Sequence, residues 1–189
     1  MTPKLEPPGA GLPPLELRIA RLLFHGSRFL SDHARATATL DAEEQRIRNL
    51  TSRCDAVAAA RRVLIARIPG MEDSSRYWSV NMTLDHLRIV NEGIAGTITL
   101  LRSGRTPNRP ASTAAVKPSE DVTAQILPDF VESCTKLKNS ATPAAALKGT
   151  QKFAHPWFGS LDASAWYFMA GFHMRLHRRQ IERILEGMK

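Results

Sequence analysis

Apolar residues recur every three or four positions along most of this chain, which is the spacing of one helix face. In the stretch LELRIARLLFHGSRFL, residues 15–30, Leu15, Ile19, Leu22, Leu23 and Phe29 form such a stripe. Arg18, Arg21 and Arg28 lie mostly off it. A stripe of this kind either packs on its own domain or lies on a membrane surface, and packing is the expectation. A second helix is expected from Asp41, because the carboxylates of Asp41, Glu43 and Glu44 suit a helix start. Its stripe of Ile47, Leu50, Cys54, Val57, Ala58, Leu64, Ile65 and Ile68 runs on until Pro69 and Gly70 stop it. Arg61 falls inside that stripe and is expected to snorkel out of the end of the bundle.

The next helix is expected over residues 79–103, capped by Ser79 or Asn81. Met82, His86, Ile89, Val90, Gly93 and Thr97 share one of its faces, and Gly93 and Gly96 would let a partner come close. A Pro-rich connection follows over 104–118. A further helix then starts at about Ser119, with Val122, Ile126, Phe130, Cys134 and Leu137 on one face. Pro128 should kink it or delay its start. After a second connection the last helix runs from Asp162, a plausible N-cap, to Gly187. No alternating pattern predicts a strand, and no repeat is present.

These elements predict an all-α fold, a four-helix bundle with an extra N-terminal helix. The long link over 104–118 can cross the bundle, which would let the two helices it joins run parallel. Residues 1–14 are rich in Pro and Gly and read as a flexible tail. Residues 15–189 read as one domain, with the extra helix and a linker over 15–38 and the bundle core over 39–189.

Composition narrows the picture modestly. A chain of 189 residues with 43% hydrophobic content can bury one real core. Lysine and arginine number 26 against 18 acidic residues, a net charge of +8. That balance permits anionic partners without naming one. Cys54 and Cys134 form no CxxC pair, and no leader-like segment opens the chain, so reduced thiols in a cytoplasm are expected. No stretch approaches the ~18 consecutive apolar residues of a membrane span.

The candidate chemistry sits in HMRLHRRQ, residues 173–180. Residues four apart on a helix share a face, with Cβ atoms roughly 6 Å apart. His173 and His177 can therefore both reach one ion at about 2.0–2.1 Å. Helical phase places them in a stripe with Trp166, Met169, Ala170, Gln180, Ile181 and Ile184, while Arg175, Arg178, Arg179 and Arg183 lie mostly on other faces. Buried imidazoles need partners, and a metal would satisfy both at once. His86, on the apolar face of its own helix, offers a third ligand. It reads equally well as a core histidine hydrogen-bonded to a neighbour.

Three imidazoles would leave open coordination positions, as catalytic sites do. Zinc and nickel are the foremost candidates, and iron also tolerates imidazole. Gln180 would be a supporting partner of His177. Trp166, Met82 and Met169 would line the pocket, although Trp166 also reads as plain core. Met174 follows His173 where a zinc-protease helix would carry Glu. There is no phosphate-binding glycine loop and no GxSxG elbow. Cys134 has the spacing of an inert core thiol.

The segment AHPWFGSLDASAWYFMAGFHMRLHRRQIERIL resembles the last helix of the DinB-like superfamily of metal-binding four-helix bundles. The resemblance is carried by His155–Pro156, Phe158–Gly159, Trp166, His173, His177, Gln180 and Ile181. The stretch WSVNMTLDHLRIVNEGI, with His86, resembles the family's second-helix element, and the likeness spans roughly residues 41–189. The helix over 15–30 lies outside it. The resemblance implies an up-down-down-up bundle, the ligands His86, His173 and His177, and a homodimer. It also implies a divalent-metal enzyme acting on a small-molecule substrate, such as a transferase that uses a low-molecular-weight thiol. The alternative is a non-catalytic module that binds nucleic acid or another anionic partner through its arginines, which would weaken steeply with salt.

Overall fold

The computed structural model describes residues 3–123 and 125–188, and most of them are helical. Among the described residues the six α-helices are α1 (Pro14–Phe29), α2 (His33–Thr51), α3 (Ala56–Ala60), α4 (Val80–Arg102), α5 (Ile126–Ser140) and α6 (Ala163–Glu186). Two short antiparallel hairpins join them, β1 (Val63–Leu64) with β2 (Tyr77–Trp78) and β3 (Phe153–His155) with β4 (Gly159–Leu161).

Side-chain caps explain four of the helix starts. The side chains of Asp32, Asp55, Ser79 and Asp162 each accept the backbone N–H three residues on, at the starts of α2, α3, α4 and α6. Pro128 does delay the start of α5, which begins at Ile126 instead of about Ser119; the expected start includes position 124, outside the described residues.

Helix α2 departs from the sequence expectation at both ends. It begins at His33, so Asp41 lies inside it and no linker reaches residue 38. It also stops at Thr51, because Asp55 caps a new short helix. Of the apolar residues beyond it, Val57 and Ala58 belong to α3 and Leu64 to β1, while Cys54, Ile65 and Ile68 lie in the connections. Arg61 is exposed and donates to the Met188 carbonyl. The hairpins were not expected, since strands of two or three residues are too short to show an alternation.

Helix α4 packs against α5 and α6, and α2 packs against α6 and α5. Pairings fix the alignments. Along α4 and α5, Asn91 bonds Ser133 and Arg102 bonds the Ser140 carbonyl, and Asn81 reaches the Val122 carbonyl in the connection before α5. Along α2 and α6, Thr37 bonds Tyr167, and Glu43 takes Arg175 and Arg178. Between α2 and α5, Lys138 bridges Asp41 and Glu44. Close approach occurs at Gly171, where a Cβ would meet the Thr39 methyl at 3.2 Å. Gly93 and Gly96 face open space instead, so they bring no partner close.

The N-terminal parts also differ from expectation. Residues 1 and 2 of the expected tail lie outside the described residues. The remainder is tied down, with Glu6 N–H donating to Asp73 and Gly9 N–H to Glu72. Helix α1 docks by Phe24, which is fully buried and stacks on Phe158 at 4.2 Å between centroids. Arg21 and His25 reach the carbonyls of Trp157 and Phe158, and Arg28 reaches the Ser164 hydroxyl. The stripe expected to pack inward therefore faces out: Leu15, Ile19, Leu22, Leu23 and Phe29 are all exposed. No helix among the described residues is long and apolar enough to cross a membrane.

Candidate metal centre

The first two turns of α4 are buried on every side, from Val80 through Leu87. Val116, Ser119 and Val122 of the crossover bond His86, Asp85 and Asn81 there, and His86 is held inside. His173 and His177 project from α6 towards it. One ligand-type nitrogen from each of the three lies within 4.8 Å of the others, so the cluster could hold a metal ion. Nε2 of His86 and Nε2 of His173 are 3.1 Å apart. Two nitrogens each about 2.1 Å from one ion, at angles between ninety degrees and tetrahedral, would be about 3.0–3.4 Å apart.

Second contacts fix which nitrogen faces inward. His86 Nδ1 lies 2.6 Å from the Val116 carbonyl. His177 Nδ1 lies 2.6 Å from Oε1 of Gln180, whose amide in turn donates to the Ser75 carbonyl at 2.7 Å. Both partners are acceptors, so both rings carry their proton on Nδ1 and a lone pair on Nε2. His173 Nδ1 is buried without a partner.

Burial also fixes the charge state. It pushes His86 down to about 4, opposed by the bond to Val116 and aided by the nearby Lys117 ammonium. It pushes His173 and His177 well below the ordinary histidine range, and the neighbouring imidazoles add to the shift. All three rings are neutral at neutral pH, the form that binds metals. The donor set therefore fits a divalent cation: two lone pairs are aimed inward by fixed tautomers, with a third ring nitrogen beside them.

Trp78, a site residue not anticipated from the sequence, lines the centre. Its ring lies 5.2 Å from His86 and stacks with His177 at 6.1 Å. Lys117 sits 5.3 Å over the Trp78 ring and bonds Glu72, Ser74 and Ser75. Glu72 is buried and also accepts from Thr113 at 2.8 Å. These contacts tie the 72–75 loop to the crossover beside the histidines.

Met82, Met169 and Trp166 are buried. Trp166 packs on the β3–β4 hairpin, 6.0 Å from Phe153, and its Nε1–H donates to the Phe153 carbonyl. His155 uses Nδ1 to accept the N–H groups of Trp157 and Phe158, so it shapes the hairpin turn, where Gly159 takes a φ of 77°. Burial pushes the Cys134 thiol up to about 12, leaving it protonated and inert.

No protein-family model, curated protein or solved structure matches the chain. Function must rest on the site. The arginines of HMRLHRRQ contribute less free charge than their number suggests. Arg175 and Arg178 converge on the fully buried Glu43, and Arg178 also pairs with Glu182.

Proposed function

We propose that this chain is a divalent-metal enzyme of the DinB-like type, with His86, His173 and His177 as its metal ligands and a low-molecular-weight thiol as co-substrate. Zinc or nickel suits three neutral imidazoles, and iron is tolerated. The observation that carries the reading is the pair of fixed tautomers. Val116 and Gln180 hold His86 and His177 with their Nε2 lone pairs available beside His173.

The helix pairings support an up-down-down-up bundle. Asn91 and Arg102 of α4 meet Ser133 and Ser140 of α5 in the same order along both helices, as Thr37 and Glu43 of α2 meet Tyr167 and Arg178 of α6, while Lys138 near the end of α5 meets the middle of α2.

When bound, the ion would supply Lewis acidity that lowers the pKa of a thiol or water and so provides a nucleophile at neutral pH. The chain's own residues do the rest. Gln180 keeps the His177 ring oriented by bridging it to the backbone at Ser75. Trp78 shields one side of the histidines from water. Lys117 places a positive charge whose field reaches His86 and His177, which favours an anionic sulfur there.

The test is a thiol-consumption assay on protein purified without a histidine tag and loaded with zinc or nickel. Glutathione, bacillithiol and mycothiol are each supplied with a common electrophile. Thiol consumption that needs both the metal and His173 supports the reading. A metal-loaded protein that consumes none of them makes the centre a structural scaffold.

A further inference from the structure

We propose that the outward face of α1 docks on the surface of an anionic lipid bilayer. Helix α1 is built the opposite way round from an ordinary surface helix. Its inner face reaches the domain through Phe24, Arg21, His25 and Arg28, and its apolar residues point away. Leu15, Leu22 and Phe29 are 70%, 74% and 89% exposed, and Leu30 beyond the helix end is 70% exposed. At 100° per residue Leu15, Ile19, Leu22 and Phe29 fall on the side opposite Phe24, so they form one continuous stripe. A helix of 16 residues is about 24 Å long, enough to lie in the headgroup region with this face buried.

Charge decides the occupant. Arg18 flanks the stripe and Arg35 lies just beyond α1; both are exposed, and neither has a carboxylate within salt-bridge distance among the described residues, while Arg21 and Arg28 serve the inner face. The acids of the same stretch are already used. Glu16 is held by Arg67 and the Gly70 N–H, and Asp32 caps α2. A second copy seated helix to helix on this stripe would set Arg18 against an α1 whose own acid, Glu16, is already taken by Arg67. Anionic headgroups supply the missing charge, and acyl chains the missing apolar contact. The chain's net charge of +8 acts in the same direction.

The test is co-sedimentation of the full chain with vesicles of mixed phosphatidylglycerol and phosphatidylcholine, against vesicles of phosphatidylcholine alone. The expected result is binding to the anionic vesicles that weakens with added salt. Binding should fall about tenfold or more in L22E/F29E, since both side chains are exposed and the fold does not need them. R18E should weaken binding to the anionic vesicles and leave the circular dichroism spectrum unchanged. Light scattering on the same samples reports the oligomeric state. The proposal is overturned if the wild-type chain stays in the supernatant. It is equally overturned if L22E/F29E binds as well as wild type, or if that variant converts a stable dimer to a monomer. The centre at His86, His173 and His177 is untouched by these variants, so metal content reads that site separately.

Discussion

His177 donates from Nδ1 to Oε1 of Gln180 at 2.6 Å, and this bond decides which side of the ring is left for a metal. Gln180 is fully buried, and its amide is consumed by the Ser75 carbonyl at 2.7 Å, so the amide cannot turn over to present nitrogen to His177. Gln180→Ala should release the ring and weaken metal binding about 10- to 100-fold. Competition against a chromogenic chelator measures the change, and unaltered affinity would show that Gln180 only packs.

Acid should unfold the metal-free protein through the same rings. The folded pKa of His86 is lowered from 6.5 to about 4 by burial, so between those values the unfolded chain binds the proton and the folded one does not. Stability is unaffected by this group above pH 6.5, falls as the pH drops towards about 4, and levels off below. His173 and His177 shift in the same direction. The loss from His86 alone is about 3 kcal/mol. Urea unfolding of the metal-free protein at successive pH values checks it, and a flat profile through that window contradicts the burial of the rings.

Much of this centre was legible in the sequence because helix geometry is local. His173 and His177 are four apart on a stripe with Ile181 and Ile184, and His86 lies on the apolar face of α4. What was not legible comes from contacts between distant segments. The acceptor for His86 is a backbone carbonyl at Val116, and that for Gln180 is another at Ser75; a carbonyl leaves no mark in residue identity. Trp78 reaches the site on a strand of two residues. Periodicity located the stripe on α1 but could not say which way it faces, because Phe24 with three polar residues outweighs it as the docking side. The end of α2 was overrun because the apolar spacing continues into α3 and β1, although Asp55 marks the break.

Glu43 anchors α6 to α2. Its carboxylate is fully buried and takes Arg178 at 2.6 Å, with Arg46 and Arg175 alongside. Glu43→Gln should cost roughly 1–3 kcal/mol, because the charge-assisted bonds are lost while the more exposed arginines recover water. Chemical denaturation reads this, and a loss below about half a kcal/mol would mean the arginines do not depend on it.

Phe24 is the apolar anchor of α1, fully buried and stacked on Phe158. Phe24→Ala should remove about 3–5 kcal/mol of docking. The loss should appear first as local release, with faster amide exchange across residues 14–29 than across α4 and α6. Uniform acceleration along the whole chain would show instead that α1 unfolds only with the rest.

The most direct test of the metal centre is elemental analysis of tag-free protein after equilibration with zinc or nickel and removal of excess ion. One ion per chain is expected for wild type, with loss of binding in both His86→Ala and His173→Ala while circular dichroism shows the fold retained. A well-folded wild-type chain that takes up neither ion, or variants that keep it, would contradict the assignment of His86, His173 and His177.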